Sequence, residues 1–392
     1  MKTKKKILIL GSTGSIGKST INVLKNYKSK VEILCLSSNK NYKLLYKQSK
    51  FFNVKNLIIH DIEYFLKAKK YIRNNQIQLF RNISEFIKKN KKKIDVSIIG
   101  ISGLEGLEPT LKLIPLSKNL ASANKESIIC GWKFIKKELK KNNTNFIPID
   151  SEHFSIWSLL NNDKDQISKI YLTASGGPFL NSPISKLKKM KINDVIKHPN
   201  WSMGKKISTD SATMMNKVFE VIEASKIFDM NSSKIEIIVH PKSLIHAIVV
   251  FNNGLVKILM HDTSMEIPIF NIIFKNEKIK FYNKTNIKFK NLNGANFIVP
   301  NNKKFPYLDI LRKYKTNDTY FEVILVTIND ELVRLFLDKK ISFIKMQKLL
   351  IKIINKRVFS KYYNDSPNKI KDIYKMINKI KVFLKENDKL LK

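Results

Sequence analysis

Cysteine is almost missing from this 392-residue chain: Cys35 and Cys130 stand far apart, which excludes a disulfide framework. Long hydrophobic runs are missing too, and nothing approaches the ~18–20 apolar residues of a membrane span. The apolar run behind the basic start stops at Gly11 after residues 7–10. That is short of the ~7–15 residues of a signal-peptide core. A cytoplasmic protein with no membrane partner is expected. Arginine is scarce as well. Arg73, Arg81, Arg312, Arg334 and Arg357 are five of 73 cationic side chains, so 68 are lysine. Against 32 acidic residues this leaves 73 − 32 = +41. Such a charge suggests nucleic acid at first sight, yet phosphate and base recognition favours arginine's planar fork. Nor is the charge gathered in an arm: it is +21 over residues 1–150, +8 over 151–300 and +12 over 301–392. Lysine, asparagine and isoleucine crowd together as AT-rich coding produces them. The excess therefore reads as solvated surface, and no nucleic-acid partner is expected.

What is present is a core. At 43% hydrophobic and 10% aromatic, the chain is no disordered polybasic tail. Residues 7–10 are apolar, Gly11-Ser-Thr-Gly14-Ser-Ile-Gly17 follows, and residues 18–25 have helical spacing. That is strand, glycine turn, helix. Further strands are predicted at 31–36, 56–59, 93–100 and 146–149, alternating with helical stretches. The fold class is α/β, with an N-terminal Rossmann-like, doubly wound parallel sheet over 1–150. From 167 onward the pattern becomes α+β, with strands predicted at 170–174, 235–239, 247–251 and 255–259. Residues 151–300 form this second, α+β domain. A proline- and glycine-flanked stretch, 175–205, reads as a mobile lid loop. Residues 301–392 read as a small C-terminal helical bundle.

Four stretches carry chemistry. Gly11, Gly14 and Gly17 allow a pyrophosphate to approach a helix N-terminus, where N–H groups and the dipole favour anions. The second strand ends in Ser37-Ser-Asn-Lys40 rather than the acidic residue an NAD site needs, so NADP(H) is favoured. Asp150-Ser-Glu152 places two carboxylates after a strand end. On an extended segment they would converge, and hard oxygens suit Mg²⁺ or Mn²⁺. An Asp/Ser helix cap explains the same residues equally well. In Asp210-Ser-Ala-Thr-Met-Met-Asn216-Lys217-Val-Phe-Glu220-Val-Ile-Glu223, a helix opened by Ser211 would group Asn216, Lys217, Glu220 and Glu223. Spacing does not choose between the two glutamates, and an ordinary amphipathic helix fits as well. Ser175-Gly-Gly-Pro-Phe179 and His198-Pro-Asn-Trp201-Ser-Met-Gly204 bracket the lid. Cys130, in an apolar helical context, reads as core.

These motifs, with Ala123-Asn-Lys-Glu-Ser127, Asp150-Ser-Glu-His153 and His240-Pro-Lys-Ser243, resemble the 1-deoxy-D-xylulose 5-phosphate reductoisomerase family. They run in order over residues 7–268. The resemblance implies NADPH- and divalent-metal-dependent conversion of 1-deoxy-D-xylulose 5-phosphate to 2-C-methyl-D-erythritol 4-phosphate, in non-mevalonate isoprenoid synthesis, by a homodimer. A divalent ion would polarise the substrate's carbonyl, and the rearranged aldehyde would take hydride from NADPH.

Roles follow residue by residue. Thr13, Gly14, Ser15, Ile16, Asn39, Lys40, Asn41, Asn124, Glu126 and Gly204 would hold NADPH. Asp150, Glu152 and Glu220 match the metal ligands and, with Lys125, the catalytic set; the resemblance thereby selects Glu220 over Glu223. Lys125, Ser151 and Glu152 would meet the substrate's carbonyl and hydroxyls, and Glu220 would also bind substrate. Ser175, Ser211, Asn216 and Lys217 would bind its phosphate under His198 and Trp201. Asn39 replaces the family's usual glycine, and past residue 300 the likeness thins to Ile328-Asn-Asp-Glu331. Two rivals remain: an NADP-dependent dehydrogenase of an aldehyde, which needs no three carboxylates, and a basic nucleic-acid-binding module, which needs a cation-lined groove with stacking aromatics.

Overall fold

A computed structural model of the chain describes residues 4–160, 167–275, 277–283, 287–288, 292–314 and 318–387. The chain forms two compact units, neither continuous in sequence. One is Met1–Ser127, Lys133–Trp157 and Ser264–Asn286; the other is Ile128–Trp132, Ser158–Thr263 and Ile287–Lys392.

The first unit is built on β1 (Lys5–Leu10), whose isoleucines and leucines are wholly buried. On one side lie β2 (Val31–Ser38), β3 (Asn56–Ile59) and β4 (Gln78–Phe80); on the other lie β5 (Ile94–Ile99), β6 (Ser117–Ser122) and β7 (Asn145–Pro148). The order is β4-β3-β2-β1-β5-β6-β7 and every pairing is parallel, the doubly wound sheet expected. Its order reverses between β1 and β5, where open α/β sheets keep their ligands at the strands' C-terminal ends. The five strands predicted here are all present, within two residues at each end. β4 and β6 escape prediction. β6 reads Ser-Lys-Asn-Leu-Ala-Ser, too polar to announce a buried strand. Its serine is satisfied by its neighbour, Ser117 Oγ lying 2.7 Å from Ser97 Oγ, and Asn119 donates to the Asp95 carbonyl at 2.9 Å. Residues 264–286 return to this unit: helix Glu266–Ile273 packs on helix Ser15–Lys25, and Tyr27 inserts between Phe270 and Phe274.

The second unit holds a four-stranded sheet of β8 (Ile167–Ala174), β9 (Ile235–Val239), β10 (Ile245–Phe251) and β11 (Val256–Met260), ordered β11-β10-β8-β9. β8 and β9 are parallel; β10 runs antiparallel to β8 and β11. Helices Lys205–Ala212 and Met215–Phe228 belong here, as do Tyr320–Leu337, Phe343–Ile354 and Ile370–Glu386. Tyr320–Leu337 is apolar around most of its girth and packs on both of the helices that follow it. Thr319 and Glu322 form its capping box, the threonine hydroxyl accepting from Phe321 N–H and the Glu322 carboxylate from Thr319 N–H. Among the described residues no helix is long and apolar enough to cross a membrane.

The glycine turn after β1 is fixed by close approach. Gly11 sits at φ +81°, and a Cβ there would lie 2.7 Å from the Gly100 carbonyl oxygen, joining the turns after β1 and β5. A Cβ on Gly17 would lie 2.2 Å from the Gly11 oxygen. Backbone cannot rotate aside as a side chain can. Gly17→Ala should therefore destabilise the protein by at least about 2 kcal/mol, seen as a lowered melting temperature.

Candidate active site

In the first unit, helix Ser15–Lys25 starts at Gly14, which supplies no side-chain cap. Ser15 and Ile16 open its first turn, so that turn is available to an anion. Ser37 and Ser38, expected to face a 2′-phosphate, turn inward instead. Ser37 Oγ accepts from Gly11 N–H at 2.9 Å. Ser38 Oγ lies 2.9 Å from Thr13 Oγ1 and accepts from Asn41 N–H at 3.1 Å. Both serines are buried, clamping the glycine turn to the end of β2. Asn39, Lys40 and Asn41 remain exposed beyond them. Asn41 also caps helix Tyr42–Phe52, and Lys40 lies 3.7 Å from Asp61.

Asn124 is buried with its amide fully used: Oδ1 accepts from Ser127 N–H at 2.7 Å, and Nδ2 donates to the Ile101 and Gly103 carbonyls at 2.8 Å each. It caps helix Lys125–Asn142 and fastens the turn after β5. Glu126 accepts from Gly103 N–H at 3.3 Å. Both residues therefore shape the loop of the expected NADPH site through its backbone.

Lys125, at the start of that helix, donates to the Asp150 carboxylate, and His153 Nδ1 lies 3.5 Å from it. Burial pushes the Asp150 carboxyl up, but Lys125 and His153 outweigh it and hold it well below the usual carboxylate range. Residues 150–152 are not extended, so alternation does not align these two carboxylates as expected. Asp150 precedes helix Ser151–Leu160 and accepts from Glu152 N–H at 3.4 Å. It is a helix cap and an ion-pair partner at once. Ser151 donates its hydroxyl to Glu152.

In the second unit, Ser211 does not open a helix; it lies in the last turn of Lys205–Ala212. The chain kinks at Met214, which has φ 64°, and a new helix starts at Met215. The expected i, i+4 neighbours still meet, because Asn216 and Glu220 both fall within the new helix. Asn216 donates to one Glu220 oxygen and Lys217 to the other, while Lys217 also reaches the Thr173 carbonyl on β8 at 2.6 Å. Lys217 is 4% exposed; Glu220 and Glu223 are 1% each, which removes the surface-helix alternative. Asp210 receives Asn329 at 2.9 Å and Lys206 at 3.0 Å. The thin C-terminal motif, Ile328-Asn-Asp-Glu331, thus braces the helix that carries Ser211.

Ser175 follows β8. A Cβ on Gly177, at φ +67°, would lie 2.8 Å from the Ser211 carbonyl oxygen, so the Ser175 turn sits against Ser211. His198 Nε2 is 2.9 Å from Ser175 Oγ. Gly204 leads into helix Lys205–Ala212 with open space at its Cα. Asn200 carries no role in the sequence reading, although it lies inside a quoted motif. It donates to the Pro241 carbonyl at 2.7 Å and to Ser243 Oγ at 2.8 Å, tying residues 198–204 to His240-Pro-Lys-Ser243. Trp201 packs edge-on to His246, itself stacked on His261 at 3.7 Å.

The comparisons with known proteins agree. Family models match in chain order: 1-deoxy-D-xylulose 5-phosphate reductoisomerase over residues 7–131, its C-terminal domain over 146–228, and a DXP reductoisomerase C-terminal domain over 260–383. The 1-deoxy-D-xylulose 5-phosphate reductoisomerase of Pelagibacter ubique (strain HTCC1062) is 52% identical over 372 residues, 94% of this chain and 96% of that one. The chain belongs to the 1-deoxy-D-xylulose 5-phosphate reductoisomerase family. A Clostridium tetani reductoisomerase is 36% identical over 97% of this chain and 99% of its own. A DOX-P reductoisomerase solved with NADPH, fosmidomycin and magnesium superposes with a TM-score of 0.90 at 27% identity, covering 99% of both chains. The Zymomonas mobilis reductoisomerase solved with NADPH gives 0.85 at 27%, covering 97% and 98%. The reductoisomerase family thus extends through the C-terminal helices, where motif resemblance alone is thin.

Asn200→Ala should release residues 198–204 from both anchors, at about 1 kcal/mol for each lost bond. Faster hydrogen exchange or proteolysis confined to that segment is expected, with the global melting temperature nearly unchanged.

Proposed function

We propose that this chain converts 1-deoxy-D-xylulose 5-phosphate to 2-C-methyl-D-erythritol 4-phosphate, using NADPH and a divalent metal, in non-mevalonate isoprenoid synthesis. Membership of the reductoisomerase family over 94% of the chain carries the reading. The residues fit the groups it requires. Asp150, Glu152 and Glu220 offer carboxylate oxygens without thiolate or imidazole, the donor chemistry of Mg²⁺ or Mn²⁺. The turn from Thr13 to Ile16, uncapped by any side chain, suits a pyrophosphate, with Asn39, Lys40 and Asn41 for the 2′-phosphate. Asn124 and Glu126 shape that turn's neighbour, and Gly204 joins the lid.

When bound, the ion supplies a Lewis acid and NADPH a hydride; the chain's own residues do the rest. Lys125 keeps Asp150 ionised and in place. Ser151 orients Glu152, while Asn216 and Lys217 orient Glu220. Ser175, Ser211, Asn216 and Lys217 hold the phosphate, away from the reacting carbons, so its binding energy can help close the lid under Trp201. We assign residues 1–150 to NADPH binding, 151–300 to catalysis and dimerisation, with the lid at 175–205, and 301–392 to the C-terminal helical domain. The working form is a homodimer in the cytoplasm.

NADPH oxidation with this substrate should depend on added Mg²⁺ or Mn²⁺ and stop with chelator; turnover indifferent to chelator would remove the metal from the reading. Asp150→Asn should abolish turnover and leave NADPH affinity nearly unchanged in fluorescence titration. Loss of both would mean the carboxylate serves the cofactor site instead.

A further inference from the structure

The proton on His198 can be placed from its neighbours. Nδ1 accepts the N–H of Asn200 at 3.1 Å and of Trp201 at 2.9 Å. A ring nitrogen that accepts carries no proton, so the imidazole is neutral and bears its hydrogen on Nε2. That nitrogen stands 2.9 Å from Ser175 Oγ, which makes His198 the donor and Ser175 the acceptor. The serine oxygen also accepts from Gly177 N–H at 3.1 Å. A hydroxyl has two lone pairs and one proton. Both lone pairs of Ser175 are engaged, and among the described residues no acceptor takes its proton. Ser175 is half-buried, on a turn seated against Ser211 and two residues from the carbonyl that Lys217 holds.

We propose that His198 is a positioning residue that acts on the substrate's phosphate through Ser175, filling the serine's acceptor sites so that its hydroxyl can only donate. The proposal rests on the reductoisomerase reading and changes the part His198 plays in it: the histidine sets the direction of another residue's hydrogen bond. A hydroxyl limited to donation suits a phosphate oxyanion, which only accepts, over a neutral alcohol, which also needs an acceptor. The same ring, through Nδ1, folds the start of 198–204. Lid geometry and serine polarity therefore share one tautomer.

Histidine-selective ¹⁵N spectroscopy of the wild-type chain without substrate at neutral pH, with His198→Gln used for assignment, should show His198 as the Nε2–H tautomer. An Nδ1–H or doubly protonated ring would overturn the proposal. In steady-state kinetics with 1-deoxy-D-xylulose 5-phosphate, Ser175→Ala and His198→Ala should each lower kcat/KM by about ten- to a hundred-fold, mostly through KM. The double variant should lose little more than the worse single. His198→Gln, whose amide N–H can reach the serine, should recover part of the loss. Losses that multiply in the double variant would show His198 acting independently of Ser175, and losses that fall on kcat alone would show that neither serves phosphate binding; either overturns the inference while the functional reading stands. A wild-type chain that does not turn this substrate over would overturn the functional reading and the phosphate role with it.

Discussion

Burying an ammonium group is the constraint around which the second unit is organised. Lys217 is 4% exposed, and a desolvated lysine costs several kcal/mol unless paired and hydrogen-bonded. Its partners are the Thr173 carbonyl on β8 and the Glu220 carboxylate one turn along its own helix. Satisfying that charge ties helix Met215–Phe228 to the end of β8, a few residues before the Ser175 turn, and gives the buried Glu220 carboxylate a donor. Asn216 takes the other Glu220 oxygen. Donors and carboxylate are thus held in place by the fold's own hydrogen bonds.

The first unit applies the same rule to Lys125 and Asp150, and joins it to a second constraint, close backbone approach. Gly11 and Gly17 leave no room for a Cβ, so the turn after β1 lies hard against the turn after β5. Asn124 then fixes the latter turn and starts the helix whose first residue is Lys125. Asn124, which fixes that turn, and Lys125, which pairs Asp150, are therefore adjacent residues of one element, and a shift in either is felt by the other.

The lysine excess divides along the same line. Lys125, Lys217 and Lys226 are buried, and each meets a carboxylate: Asp150, Glu220, and Glu322 with Asp318. Lys40, beside the turn expected to take NADPH, is largely exposed. The great surplus of lysine on the surface can draw phosphorylated ligands in at low salt, and it is screened within about 10 Å at 0.1 M. A net charge of +41 thus says less about how the chain is built than these three buried cations do.

Local pattern was enough wherever a signal lies within one element or its cap. The apolar runs of β1, β2, β3, β5 and β7, the glycine turn, and the i, i+4 pairing of Asn216 with Glu220 could all be read along the chain, because strand burial and helix periodicity are short-range properties. The polar strand β6 could not, since its serine and asparagine are acceptable inside only when Ser97 and the Asp95 carbonyl stand opposite. The inward turn of Ser37 and Ser38, the pairing of Asp150 with Lys125, the kink at Met214 and the anchoring of Asn200 were likewise invisible, although the helix cap at Asp150 was legible. Sequence alone determined which residue types could do the chemistry and roughly where along each element they lie. Tertiary structure decided which of them are buried, which spend their hydrogen bonds on backbone, and which way each remaining proton points. Those are contests between desolvation and pairing, and their outcome depends on groups tens to hundreds of residues away in the chain.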